Sequence, residues 1–116
     1  MSGKLKMGIL GAGVLGKYHT KLTKENPNAE LIGIYDVIPA AAQALAKEFG
    51  TKAFDSVEEL APQCDALTVA VPATKHAETT LPLIEMGKHI LVEKPIAATV
   101  QEAKDMVEAA RRKGVV

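Results

Sequence analysis

Gly11-Ala12-Gly13-Val14-Leu15-Gly16 stands between an apolar segment, Met7-Gly8-Ile9-Leu10, and a helical pattern, Leu15, Tyr18 and Leu22. Strand, glycine turn and helix, in that order, are the setting in which a G-x-G-x-x-G run cradles a dinucleotide. Each glycine has its own task. Gly11 permits the tight turn out of the strand, where a Cβ would clash. Gly13 lets the main chain come close to a pyrophosphate, and Gly16 lets the helix pack tightly on the strand it left. The helix start offers unpaired N–H groups and the positive end of its dipole to the anion, with Val14 and Leu15 in the first turn.

The glycines alone are a weak signal; the acidic residue downstream strengthens them. Leu31-Ile32-Gly33-Ile34-Tyr35 reads as a second apolar strand, and Asp36 follows it, twenty positions after Gly16. A carboxylate there accepts hydrogen bonds from the adenosine ribose hydroxyls and repels a 2′-phosphate. Val37 supplies no arginine to welcome one. The expected cofactor is therefore NAD, with NADP disfavoured.

Among 116 residues nearly half are apolar, but only four are aromatic, so the core must be aliphatic. A single domain of this size buries about two-thirds of its unfolded surface. Fourteen basic residues balance fourteen acidic ones. That balance argues against nucleic acid or an anionic membrane as partner, since either favours a basic excess. Cys64 is the only cysteine, which excludes an internal disulfide, and its apolar surroundings make it a small buried hydrophobe. No apolar run reaches membrane-spanning length and no signal-type segment opens the chain. A cytoplasmic location is the expectation.

Taken in order, the first strand is expected at about Lys6 to Leu10 and the first helix from Val14 to Glu25, ended by Pro27. Pro39 opens the second helix, with Ala41, Leu45 and Phe49 inward and Gly50 as its stop. Lys52-Ala53-Phe54 reads as a short third strand, and Ser56-Val57-Glu58-Glu59 as a capping box. The fourth strand is Ala66 to Val71. The fourth helix shows Ala77, Leu81 and Ile84 on one face, carries Pro82 inside it and ends at Gly87. His89 to Val92 is the fifth strand. A second capping box, Thr99-Val100-Gln101-Glu102, opens a fifth helix with Val100, Ala103, Val107 and Ala110 on one face.

The strands are continuous apolar runs, a sign of burial on both faces. The expected fold is α/β: a doubly wound parallel sheet (Rossmann fold), strand order 3-2-1-4-5, in three layers α/β/α. Residues 1–116 form one dinucleotide-binding domain. The fifth strand is expected to be an uncovered edge, which suggests the N-terminal piece of something longer and a route to a homo-oligomer.

Val71-Pro72-Ala73-Thr74-Lys75-His76, followed by Gly87-Lys88-His89-Ile90-Leu91-Val92-Glu93-Lys94-Pro95, resembles the glucose–fructose oxidoreductase / inositol dehydrogenase (Gfo/Idh/MocA) family. The resemblance runs the length of the chain, from the glycine turn with its trailing His19 to the fifth helix. It implies an N-terminal NAD(P)-binding domain followed by an α/β substrate domain, which this chain lacks. It also implies hydride transfer between a nicotinamide cofactor and a hydroxyl or keto group of a sugar, cyclitol or nucleotide-sugar. Similarity to nucleotide-sugar 3-dehydrogenases is greatest around Val71-Pro72 and Leu91 to Ala97.

Lys94 is the expected catalytic residue. An ammonium beyond the carboxyl end of a parallel strand can hydrogen-bond the reacting oxygen and relay its proton. The competing fate of such a lysine is a surface pair with Glu93, and the family resemblance decides for catalysis. Pro95 fixes the exit from the strand, and Glu93 orients Lys94 or meets the nicotinamide ribose. Val71, Pro72, Ala73 and Thr74 are expected to border the cofactor. His76 is either a cofactor contact or a packed histidine. His19 and His89 are expected to be structural, and no metal-ligand spacing occurs. Two other readings stay open: a non-catalytic NAD sensor, which has no need of Lys94, and a glycine turn that binds FAD or S-adenosylmethionine.

Overall fold

The computed structural model describes residues 4–92 and 97–116. Four parallel strands form its sheet: β1 (Leu5–Leu10), β2 (Ala29–Tyr35), β3 (Ala66–Val69) and β4 (His89–Val92), in the order β2-β1-β3-β4. Helices connect them: α1 (Val14–Glu25), α2 (Pro39–Phe49), the single turn α3 (Val57–Leu60), α4 (His76–Glu85) and α5 (Val100–Lys113). Short 3₁₀ turns at Ala61–Gln63 and Ala73–Lys75 lead into β3 and α4, respectively. The order turns back at β1 and β3, so the carboxyl ends of those two strands open a crevice.

Sequence chemistry explains where the elements stop. Gly50 and Gly114 take left-handed conformations that cap α2 and α5. Ser56 and Thr99 accept hydrogen bonds from the amides of Glu59 and Glu102, as capping boxes do. β3 is buried along its whole length. Leu10, Leu60, Leu67, Val69 and Leu83 fill one face of the sheet. Ile9, Ile34, Ala42, Leu45 and Ala46 fill the other, beneath α2.

Several expectations need correction. The third strand of the expected 3-2-1-4-5 order is reduced to one bridge, Ile34 with Ala53, held by Ile34 N–H to the Lys52 carbonyl (2.9 Å) and Phe54 N–H to the Ile34 carbonyl (2.8 Å). Extension stops there because Ser56 already caps α3. The apolar stripe of α1 also faces the other way: Leu15, Tyr18 and Leu22 are 50%, 57% and 45% exposed, and Gly16, Thr20 and Thr23 point inward. The two threonine hydroxyls bond back to the carbonyls of Gly16 and His19, so their burial leaves no orphan group. In α5, Met106 and Ala109 are buried while Val100 and Val107 are exposed.

The outer edge of β4 differs from expectation too. Val116 meets it, accepting from the Ile90 N–H (2.9 Å) and donating its own N–H to His89 Nδ1 (3.0 Å).

Candidate coenzyme site

The glycine turn is pinned from both sides. Gly11 N–H donates to the Tyr35 carbonyl and Ala70 N–H to the Leu10 carbonyl, each at 2.8 Å. Gly11 has φ +107°, and a Cβ there would lie 2.6 Å from the Ala70 carbonyl oxygen. Glycine is required on both counts. A Cβ on Gly16 would overlap the Gly11 carbonyl oxygen, so α1 starts against the turn that launched it.

Gly13 is different. Its φ of −81° suits any residue, and a Cβ there would meet no atom of the described residues within 4 Å. Nothing among the described residues asks for glycine at this position. The space faces the start of α1, where no side chain caps the helix and no acidic residue sits in the first turn. A helix N-terminus in that state presents free amide donors and positive potential. This is a cradle shaped for an anionic group, and it fits the diphosphate of a dinucleotide.

Asp36 closes the same structure. Its Oδ1 accepts from the Ala12 N–H and its Oδ2 from the Ile38 N–H, each at 2.9 Å. The carboxylate therefore ties the end of β2 to the glycine turn. Each oxygen keeps a further acceptor position for a ribose hydroxyl.

These groups open onto a cleft of about 1030 Å³. Gly11, Gly13, Val14, Leu15 and Asp36 line it on one side, with Val71 and Pro72 beyond the end of β3. Thr74 is exposed in the 3₁₀ turn that includes Ala73. His76 is buried under this loop, and its Nε2 donates to the Val71 carbonyl at 2.8 Å. A carbonyl can only accept, so that bond fixes the proton on Nε2. The ring holds the Val71 main chain in place and lies outside the cleft lining. Glu93, Lys94 and Pro95 lie outside the described residues.

The far wall was missed by sequence reasoning. Val57 and Glu58 of α3 and Lys75, Glu78, Thr79 and Met86 around α4 line it. Lys75 Nζ pairs with Glu78 Oε1 across the rim at 3.2 Å. No local motif marks these positions, because the packing of α3 and α4 on the sheet brings them together. Tyr35 and Val37 also line the cleft, and a usable signal existed for them: both flank Asp36 at a strand's carboxyl end. Among the described residues, no group of acidic, histidine or cysteine side chains could hold a metal ion. No described helix is long and apolar enough to cross a membrane.

Comparison with known proteins agrees with this geometry. Residues 5–116 match the Gfo/Idh/MocA family, described as an oxidoreductase family with an NAD-binding Rossmann fold. Glucose-6-phosphate 3-dehydrogenase of Bacillus subtilis (strain 168) is 39% identical over 110 residues, 95% of this chain and 31% of that protein. The WlbA dehydrogenase of Bordetella pertussis, solved with NADH and UDP-GlcNAcA, superposes with a TM-score of 0.89 at 32% identity. That match covers 97% of this chain and 34% of WlbA. GenD2 from gentamicin A biosynthesis, solved with NAD, gives 0.95 at 27% identity, over all of this chain and 34% of its own. The chain thus spans about a third of the length of the relatives it matches. It belongs to the Gfo/Idh/MocA oxidoreductases, and its fold is that family's NAD-binding domain.

Proposed function

We propose that this domain is the coenzyme half of a two-domain dehydrogenase that prefers NAD to NADP. Its substrate is a sugar, cyclitol or nucleotide-sugar carrying a secondary hydroxyl or keto group. The observation that carries the coenzyme reading is Gly13, whose missing side chain leaves room that no atom of the described residues fills, at an uncapped helix start. Asp36 supports the preference for NAD, because its fixed negative charge suits ribose hydroxyls and opposes a phosphate.

When bound, NAD supplies a hydride acceptor or donor. The chain's own residues do the rest. Main-chain amides at the glycine turn and the start of α1 hold the diphosphate, Asp36 orients the ribose, and Val71 and Pro72 border the coenzyme. Ala73, Thr74, Glu93 and Pro95 complete that border. Lys94, two positions beyond the last residue of β4, hydrogen-bonds the substrate oxygen and relays its proton. Substrate contacts and further acid–base groups come from a second domain. A cytoplasmic, homo-oligomeric enzyme completes this reading. The names of the relatives support the substrate class: glucose-6-phosphate and UDP-N-acetylglucosamine 3-dehydrogenases and inositol 2-dehydrogenase.

Two measurements test the proposal. Calorimetric titration of the 116-residue chain should give binding to NAD that is at least tenfold tighter than to NADP. Lys94→Ala in the two-domain enzyme should lower turnover by about 10² or more. A chain that binds neither coenzyme, or an alanine variant with undiminished turnover, refutes the corresponding half.

A further inference from the structure

We propose that Glu58 is a second determinant of coenzyme choice, acting with Asp36 against a 2′-phosphorylated adenosine ribose. The inference rests on the reading that the cleft holds a nicotinamide dinucleotide, and it deepens that reading.

Glu58 lines the same cleft as Asp36. Hydrogen bonding and packing tie their two elements together. Phe54 N–H bonds to the Ile34 carbonyl of β2, two residues before Asp36. Ser56 then caps α3, which packs against β2, and Glu58 stands in the first turn of that helix. Val57 next to it is anchored against the core.

The two carboxylates are in different states. Asp36 accepts a main-chain amide on each oxygen, so its charge is shared with the turn it braces. Glu58 is exposed and takes no part in the capping box, where Ser56 and Glu59 satisfy each other. Among the described residues no hydrogen bond or ion pair engages it, so no described cation neutralises its charge at the cleft wall. The described cation on the cleft wall, Lys75, is already engaged by Glu78. A phosphate on the ribose would add close to two negative charges to this wall. Glu58 therefore opposes it through space, while a ribose hydroxyl is indifferent to it or donates to it.

The test uses Glu58→Gln and Glu58→Lys in the 116-residue chain, titrated with NAD and with NADP at low and high salt. The ratio of the NADP to the NAD dissociation constant should fall about fivefold to tenfold for the glutamine variant, and further for lysine. The change should shrink at high salt, because the charge is exposed. A ratio within twofold of the parent, with an unaltered circular dichroism spectrum, overturns the role and leaves Glu58 a helix-start residue whose loss only lowers Tm. If the parent chain binds NAD but the ratio does not move, this inference alone fails. If the parent binds neither coenzyme, the reading beneath it fails as well.

Discussion

Replacing each glycine of the turn by alanine separates folding from binding. In Gly13→Ala the new methyl meets no atom of the described residues within 4 Å and φ is already −81°. Loss of a glycine at the helix cap costs somewhat under 1 kcal/mol, and reduced freedom of the unfolded chain returns about 0.4–1 kcal/mol. Stability should stay within about 1 kcal/mol, a few degrees in Tm. Binding should not survive as well. A methyl on the diphosphate side pushes the anion away from the amides, out of the 2.7–2.9 Å range of charge-assisted bonds. Losing one or two such bonds, at about 1.5–3 kcal/mol each, weakens NAD by roughly tenfold at the least and by about 10²-fold or more where two are lost. Gly11→Ala and Gly16→Ala should behave oppositely and unfold the domain, because both collide with main-chain oxygens. Thermal melts and calorimetric titration of the three variants decide the matter. A Gly13→Ala chain that binds NAD within threefold of the parent refutes the reasoning.

Further outcomes follow from other groups. Asp36→Ala leaves the Ala12 and Ile38 amides without their acceptor and should cost about 1–3 kcal/mol in a urea melt, with a parallel loss of NAD affinity; an unchanged midpoint contradicts the bracing role. Burial pushes the Cys64 thiol up from 9.0 to about 11. The unfolded thiol ionises first, so this contribution to stability is intact below pH 9 and is lost as pH rises towards 11, which pH-dependent melts should register against Cys64→Ala. The same thiol should resist Ellman's reagent at pH 8 until urea opens the fold. Thr68 Oγ is buried with no partner among the described residues, so Thr68→Val should raise stability by about 1 kcal/mol; a fall would mean the hydroxyl is satisfied after all.

How much could be read from the residues depended on whether main-chain geometry or packing set the outcome. The turn, the end of β2 and the caps at Ser56, Gly50 and Thr99 were legible, since each answers a local demand on φ or on an orphan amide. The phase of α1 was not. A hydrophobic count chose Leu15, Tyr18 and Leu22, whereas contact with the turn required Gly16 inward and brought Thr20 and Thr23 with it. Threonines that bond their own helix carbonyls are polar by composition and buried in practice. The far wall of the cleft was illegible for a related reason. Glu58, Lys75 and Thr79 become neighbours of one space only when α3 and α4 settle on the sheet. Strand propensity at Lys52–Phe54 was real but ran out after one bridge, where the next cap began.

The double grip of Asp36 on Ala12 and Ile38 carries a consequence for redesign. If Asp36 reads the ribose as proposed, reader and brace are one side chain, so no single letter at this position can retune recognition while leaving the scaffold alone. Any attempt to convert the domain to the phosphorylated coenzyme must first supply another acceptor for those two amides, or change its charge elsewhere on the wall.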